Sequence, residues 1–234
     1  MSKLAVITGG TKGIGRALLD RFAMAGFDLA TCSRNTDELT RLAAEVRLKY
    51  GVATHVMQAD LSKPDQAERF TSFVSALDLP VDVLVNNAGY FEPGKVSEET
   101  KGTLERMIQT NLYSAYYTTR GLIEGMKRRQ AGHIFNMCSI ASIMAYPNGG
   151  SYSISKFALL GFTKVLREEM KPFKIRVTAV LPGATRTSSW DGVNLPDERF
   201  MKASDVAEAV FGAYSLSPQS VVEEILIRPQ LGDI

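Results

Sequence analysis

The stretch Lys3-Leu-Ala-Val-Ile-Thr-Gly-Gly-Thr-Lys-Gly-Ile-Gly15 decides the fold. Lys3 to Thr8 is a short run rich in apolar side chains, which suits a strand buried on both faces of a parallel sheet. Glycines follow at once, and residues 16–25 carry a helical pattern. A strand, a glycine-rich turn and a helix make the first half of a dinucleotide-binding unit. Gly9 permits the tight turn, Gly13 lets the backbone approach a pyrophosphate, and Gly15 lets the helix pack closely. The helix N-terminus then offers unpaired N–H groups and a positive dipole end to the phosphates. The spacing Gly-x-x-x-Gly-x-Gly departs from the commoner Gly-x-Gly-x-x-Gly, so the flanking strand and helix carry much of the reading. On these residues alone, a glycine-rich turn without a ligand stays open.

Working outward, the same rhythm continues. Strand-like runs at 28–32, 53–58, 81–86, 132–138, 175–181 and 221–227 alternate with helical stretches at 36–50, 64–77, 103–127, 152–171 and 204–214. Such alternation predicts right-handed βαβ units, hence an α/β fold with a parallel sheet. No internal repeat, linker or charge block interrupts it, and residues 1–234 read as one domain. The hydrophobic share of 45% and charged share of 22% are those of an ordinary soluble globular protein. A net charge of +2 gives no reason to invoke nucleic acid or a membrane surface. Cys32 and Cys138 each sit in an apolar strand-like run, as small buried hydrophobes rather than a disulfide or metal site. No signal peptide is evident and no apolar run approaches the ~20 residues of a membrane span, so the expected compartment is the cytoplasm.

Chemistry concentrates in Tyr152-Ser-Ile-Ser-Lys156. A tyrosine and a lysine four apart on a helix share one face. A phenol with a reference pKa near ~10 is a sluggish proton donor or acceptor at neutral pH, and a fixed ammonium beside it favours the phenolate. Most such pairs are merely solvated helix faces, so the company kept elsewhere matters. The second strand ends Cys32-Ser33-Arg34-Asn35, without the carboxylate that would grip the adenosine ribose of NAD. Lys12 and Arg34 offer cations there for the extra phosphate of NADP. Asp60 follows the third strand directly, where it could accept from an adenine amino group or simply close a turn. Asn111 inside a helix is a poor choice on propensity, and is either tolerated on a wet face or kept for a polar task. His133, at the far end of its strand, reads as structural.

Thr8-Gly-x-x-x-Gly-x-Gly15, Asn86-Asn-Ala-Gly89, Asn111, Ser139, Tyr152-x-x-x-Lys156 and Pro182-Gly183 together resemble the short-chain dehydrogenase/reductase family, over essentially the whole chain. The resemblance implies a doubly wound Rossmann-type sheet of seven strands in the order 3-2-1-4-5-6-7, with helices on both faces. It implies an enzyme with four catalytic residues: Tyr152 as general acid for carbonyl reduction, Lys156 lowering the phenol pKa and holding the nicotinamide ribose, Ser139 holding the substrate oxygen, and Asn111 supporting a water that reconnects Lys156 to solvent. Its cofactor positions fall on Gly9, Thr11, Lys12, Gly13, Ile14 and Gly15 of the glycine turn, on Ser33, Arg34, Asp60 and Leu61, and on Asn86, Asn87, Ala88 and Gly89. Pro182, Gly183, Thr185 and Thr187 meet the nicotinamide, although many members have an apolar residue at Thr185. The cofactor implied is NADP(H), and the partner a small-molecule carbonyl substrate.

The C-terminal run from Val221 to Ile234 and the stretch Thr187-Ser-Ser-Trp190 resemble bacterial sepiapterin-reductase-like proteins, while 3-oxoacyl-carrier-protein reductases share every catalytic motif. Sepiapterin or a related pterin or diketone is the substrate this implies. A 3-oxoacyl thioester, or a regulator that binds cofactor without turnover, is the alternative. Trp190, the only tryptophan, could stack on a planar heterocycle or plug its own loop. The chain is short for the family between Thr187 and Ser204, where other members carry a substrate-covering lid. Leu112, Tyr116, Phe157, Leu160, Phe162 and Leu166 give the helices around Asn111 and Tyr152 a wide apolar face. Either they are deeply buried in the monomer, or, as in family members, they pair in a homodimer or a tetramer of such dimers.

Overall fold

A computed structural model of the chain describes residues 3–190, 192 and 194–234. Seven strands, β1 (Leu4–Thr8), β2 (Asp28–Ser33), β3 (Thr54–Gln58), β4 (Val81–Asn86), β5 (Gly132–Met137), β6 (Ile175–Pro182) and β7 (Glu224–Ile227), form one sheet. Their order is β3-β2-β1-β4-β5-β6-β7 and every pairing is parallel, as the sequence implies. β1 is buried along its whole length, which explains an apolar run without alternation.

Helices cover both faces. α1 (Gly13–Met24) and α2 (Thr36–Tyr50) lie on one, with α7 (Ala203–Ser215); α3 (Pro64–Ser75), α5 (Ser114–Arg129) and α6 (Gly150–Met170) lie on the other. Each face has its own core. On the first, Leu19 and Phe22 meet Val206 and Val210; on the second, Phe70 and Val74 join Leu122, Met126 and Met170. Local chemistry sets the boundaries. Asn35 accepts from the Glu38 N–H at 3.1 Å to start α2, and Gly51, at φ +73°, ends it. Pro64 opens α3.

Two expectations are corrected. The single helix expected over 103–127 is α4 (Thr103–Ile108), a π-helical turn (Gln109–Tyr113) and α5. Asn111 sits in that turn, fully buried, and its side chain is spent on long-range partners described below. β7 begins at Glu224 rather than at 221. Just before it, the Thr178 hydroxyl donates to the Val222 carbonyl, and the Glu223 carbonyl accepts from both the Arg167 guanidinium and the Ala179 N–H of β6.

Phe22 is fully buried and meets Phe27, Phe211 and Tyr214 edge-on, at centroid distances of 5.2, 5.3 and 5.8 Å. Phe22→Ala is expected to cost about 3–5 kcal/mol in urea denaturation. A loss below about 1 kcal/mol would show that this cluster collapses without penalty.

Candidate active site

The C-terminal ends of β1, β2, β4, β5 and β6 open into one cleft of about 970 Å³. It starts where the strand order reverses between β1 and β4, the crevice in which open α/β sheets receive ligands. Along one side runs the glycine turn. Gly9 and Gly13 adopt φ of +67° and +56°, and a Cβ on Gly15 would collide with the Gly9 carbonyl. α1 then begins with no side-chain cap and no acidic residue in its first turn. Its leading N–H groups are therefore left for an anion in the cleft. Thr8 and Asn87 sew the turn to the end of β4: the Asn87 and Ala88 N–H groups donate to Thr8 Oγ1, each at 2.9 Å.

At the end of β2, Ser33 and Arg34 line the same cleft. The Arg34 guanidinium is exposed and makes no ion pair among the described residues. Lys12 is different. Its Nζ lies 2.7 Å from Glu38 Oε1, and this pairing is the main cause holding the Glu38 carboxyl below its ordinary value. The sequence places Glu38 inside the following helix, where it does lie, but the side chain turns back onto the glycine turn. Since the Lys12 side chain is 64% exposed, the pair is a weak one that another anion can displace. Asp60 closes its own turn, its Oδ1 accepting from the Ser62 N–H and hydroxyl, and it lines the cleft beside Leu61.

Tyr152, Ser139 and Lys156 meet at the other end. Ser139 follows β5 and hydrogen-bonds the Tyr152 phenol. Its Oγ also accepts from the Ala141 N–H at 3.1 Å, in a capping box with Ser142 that fixes the hydroxyl. Phe91 packs edge-on against Tyr152 at 4.8 Å. Lys156 is buried, donates to the Met137 carbonyl at 2.8 Å, and lies 5.7 Å from the Tyr152 ring centroid. Burial pulls the Lys156 ammonium down to about 8. Burial also pushes the Tyr152 phenol up, opposed by the Ser139 hydrogen bond. This corrects the expectation of a lysine-lowered phenol: the ammonium is spent on a carbonyl, and desolvation wins. Tyr152 is thus held protonated, as a donor.

Asn111 is likewise committed. Its Oδ1 accepts from the Tyr90 N–H at 2.8 Å, and its Nδ2 donates to the Tyr90 carbonyl and to Ser155 Oγ. Pro182, Gly183, Thr185 and Thr187 line the wall of the cleft at the end of β6, and Trp190 lines it too, with its ring edge-on to Phe200 at 5.3 Å. His133 is buried far from the cleft, as read. The Thr178 hydroxyl donates to Val222, so His133 Nε2–H donates to Thr178 at 2.8 Å, and burial keeps the ring neutral. Cys32 and Cys138 are free, buried thiols. Among the described residues, no group of three or more His, Cys, Asp or Glu could hold a metal, and no helix is long and apolar enough to cross a membrane.

Several lining residues escape sequence reasoning. Tyr90, Phe91 and Arg106 come from the loop and helix after β4, Tyr146 from the loop before α6, and Asp233 from the C-terminal tail. The Tyr146 phenol, beside Tyr152, is pushed up to about 12 by burial. For Tyr90, Phe91 and Tyr146 the only signal was position in a loop flanking a motif, and Arg106 in α4 carried none.

The model of the short chain dehydrogenase family matches residues 3–197. A sepiapterin reductase of Chlorobaculum tepidum is 34% identical, over 100% of this chain and 99% of the relative. Among solved structures, an alcohol dehydrogenase of the archaeon Thermococcus sibiricus, complexed with 5-hydroxy-NADP, is 30% identical with a TM-score of 0.92, covering 98% of this chain and 97% of that one. L-sorbose reductase of Gluconobacter frateurii, complexed with NADPH and L-sorbose, is 26% identical with a TM-score of 0.88, over 97% and 95% of the two chains. With the reversed sheet, the glycine turn and the Ser–Tyr–Lys cluster in place, these matches make the chain an oxidoreductase of the short-chain dehydrogenase/reductase family.

Proposed function

We propose that the chain reduces the carbonyl of a small molecule to an alcohol with NADPH, Tyr152 acting as general acid. The observation that carries this is the polarity of the cleft: a phosphate cradle with Lys12 and Arg34 at one end, and Ser139, Tyr152 and Lys156 at the other. The uncapped start of α1 and the glycines, which leave no room for side chains, fit a pyrophosphate. Bound there, NADPH supplies the hydride. Ser139 and Tyr152 hold the carbonyl oxygen, and the phenol gives its proton to the developing alkoxide. Lys156, charged below about pH 8, adds a buried positive charge near the oxygen and reaches the ribose side. The Asn111 side chain holds Tyr90 and Ser155 in place. A relay water would lean on the backbone of the π turn that carries Asn111.

A pterin such as sepiapterin, or a small diketone, is the substrate class we favour. The Chlorobaculum relative supports it, as does an aromatic Trp190 on the cleft wall. Sepiapterin, an acetoacetyl thioester and simple diketones, tested side by side with NADPH, decide among these. Cofactor binding without turnover on any of them would point to a non-enzymatic protein.

We also propose self-association. Leu160 and Leu166 are buried within the monomer, but Tyr113, Tyr116, Ile154, Phe157 and Val165 are 36–58% exposed along the π turn, α5 and α6. That face suits a second copy of the chain across a two-fold axis.

In the same assay, Tyr152→Phe should keep NADPH affinity and lose turnover by on the order of 10²–10⁴; near-normal turnover would remove Tyr152 from its role. NADPH should be preferred to NADH by about 1.5–3 kcal/mol if Arg34 makes a charge-assisted contact. Arg34→Ala should erase most of that preference while leaving NADH use nearly unchanged, and equal kcat/KM for both cofactors in the unaltered protein would reject the site. In sedimentation at micromolar concentration the chain should run as a dimer or larger, and Phe157→Glu as a monomer. A monomeric unaltered protein would dismiss the pairing face.

A further inference from the structure

Tyr152 is the third residue of α6, and the ends of helices fray. α6 does not secure its own start. Its N-cap, Gly149, has no side chain to offer, and the first turn contains no acidic residue. The leading N–H groups of any helix lack partners inside it. Here one is satisfied from far along the chain. Glu99, in the loop between β4 and α4, accepts the Ser151 N–H through Oε1 at 2.7 Å, and the Ser151 hydroxyl donates to Oε2.

The backbone is shaped around this carboxylate. The Gly94 N–H donates to the Asn148 carbonyl at 3.0 Å, and Gly94 pairs with Gly149 in an isolated bridge. Gly150 has φ +25°, and a Cβ there would collide with Glu99 Oε1 and the Gly94 carbonyl. A Cβ on Gly94 would stand 2.8 Å from Glu99 Cγ. Small residues on both segments thus clear the space that one side chain fills. The same loop holds Phe91 against the Tyr152 ring, and it is tied through Tyr90 to Asn111, which grips Ser155. The Ser155 hydroxyl in turn donates to the Tyr152 carbonyl at 2.7 Å.

Resting on the reading of Tyr152 as the proton donor, we propose that Glu99 is a positioning residue that clamps the first turn of α6 and so aims the phenol. Glu99 itself does not line the cleft. Without it, the turn carrying Tyr152 loses the carboxylate that holds the Ser151 N–H and hydroxyl. Misplacing a reacting group by about 1 Å can cost on the order of 10²-fold in rate. Lys12 and Arg34, on other elements, keep their places.

The test uses the full chain with Glu99→Ala, Glu99→Gln and Ser151→Ala. NADPH turnover is measured on whichever carbonyl the unaltered protein reduces, and amide hydrogen exchange at 151–153 without substrate. Glu99→Ala should lower kcat about 10–100-fold while KM for NADPH stays within about twofold. Exchange at 151–153 should quicken by about tenfold or more. Glu99→Gln keeps an acceptor oxygen for the Ser151 N–H and should recover most of kcat. Ser151→Ala removes only the hydroxyl bond and should show a smaller loss of about 3–10-fold, which carries the test if the Glu99→Ala protein does not fold. The clamp is overturned by kcat within about twofold of normal in both alanine variants, or by kcat and NADPH affinity falling together with glutamine no better than alanine. If the unaltered protein reduces no carbonyl, the functional reading fails separately. Exchange at 151–153 then decides: faster exchange in Glu99→Ala upholds the clamp, and unchanged exchange rejects it.

Discussion

Where a parallel sheet reverses its order, two neighbouring strands send their connections to opposite faces, and the backbone groups at the parting must find new partners. Everything that forms the cleft depends on how this is met between β1 and β4. One buried hydroxyl does most of it. Thr8 Oγ1 accepts from the Asn87 and Ala88 N–H groups, while the Asn87 amide donates back to the Thr8 and Gly9 carbonyls. Thr31 repeats the device on the other flank, donating to Ile7 and accepting from the Gly10 N–H. The glycine turn is therefore held from both sides, while the leading N–H groups of α1 stay turned to the crevice.

A second set of polar groups lies beneath the reacting end. Asn86 Nδ2 donates to Thr119 and to Asn136, and Asn136 donates to Thr163 on α6. Two strands and two helices are thus tied by side chains in a region with low dielectric, where hydrogen bonds are strengthened, and Asn86 Oδ1 is left buried without a partner among the described residues. The same dielectric acts on Lys156 and Tyr152 in opposite senses for their charges but in one sense for their state, since burial favours both in neutral form. A bound anionic cofactor would favour the lysine cation. The site's charge balance is completed by what it binds rather than by its own residues.

Much of this was legible in the sequence. The strands, their parallel pairing and the cleft-lining motifs follow from local spacing, because a buried strand or a glycine turn is dictated by a handful of neighbours. What was not legible depends on partners far along the chain. Glu38 looks like an ordinary first-turn acid until α2 is docked beside Lys12. The chain just before β7 is held by Thr178 and Arg167 from far along the sequence, and the phenol pKa is set by burial that no motif encodes. Leu160 and Phe157 carry the same apolar signal, yet one is core and the other surface. A helical pattern cannot tell a face packed inward from a face awaiting a neighbour.

The π turn at Gln109–Tyr113 is a phase shift between two helices that would otherwise be one. Each residue advances a helix by about 100°, so a one-residue widening rotates all that follows relative to what precedes. α4 uses its phase to bury Met107, and α5 uses another to bury Leu122 and Met126 against the sheet. Deleting one residue here would straighten the rod and turn one of these faces toward water, and it would swing Asn111 away from Tyr90 and Ser155. Sequence length in this segment is consequently quantised. Its exposed side chains can change, but the segment cannot lose a single position without choosing between its core and its active centre.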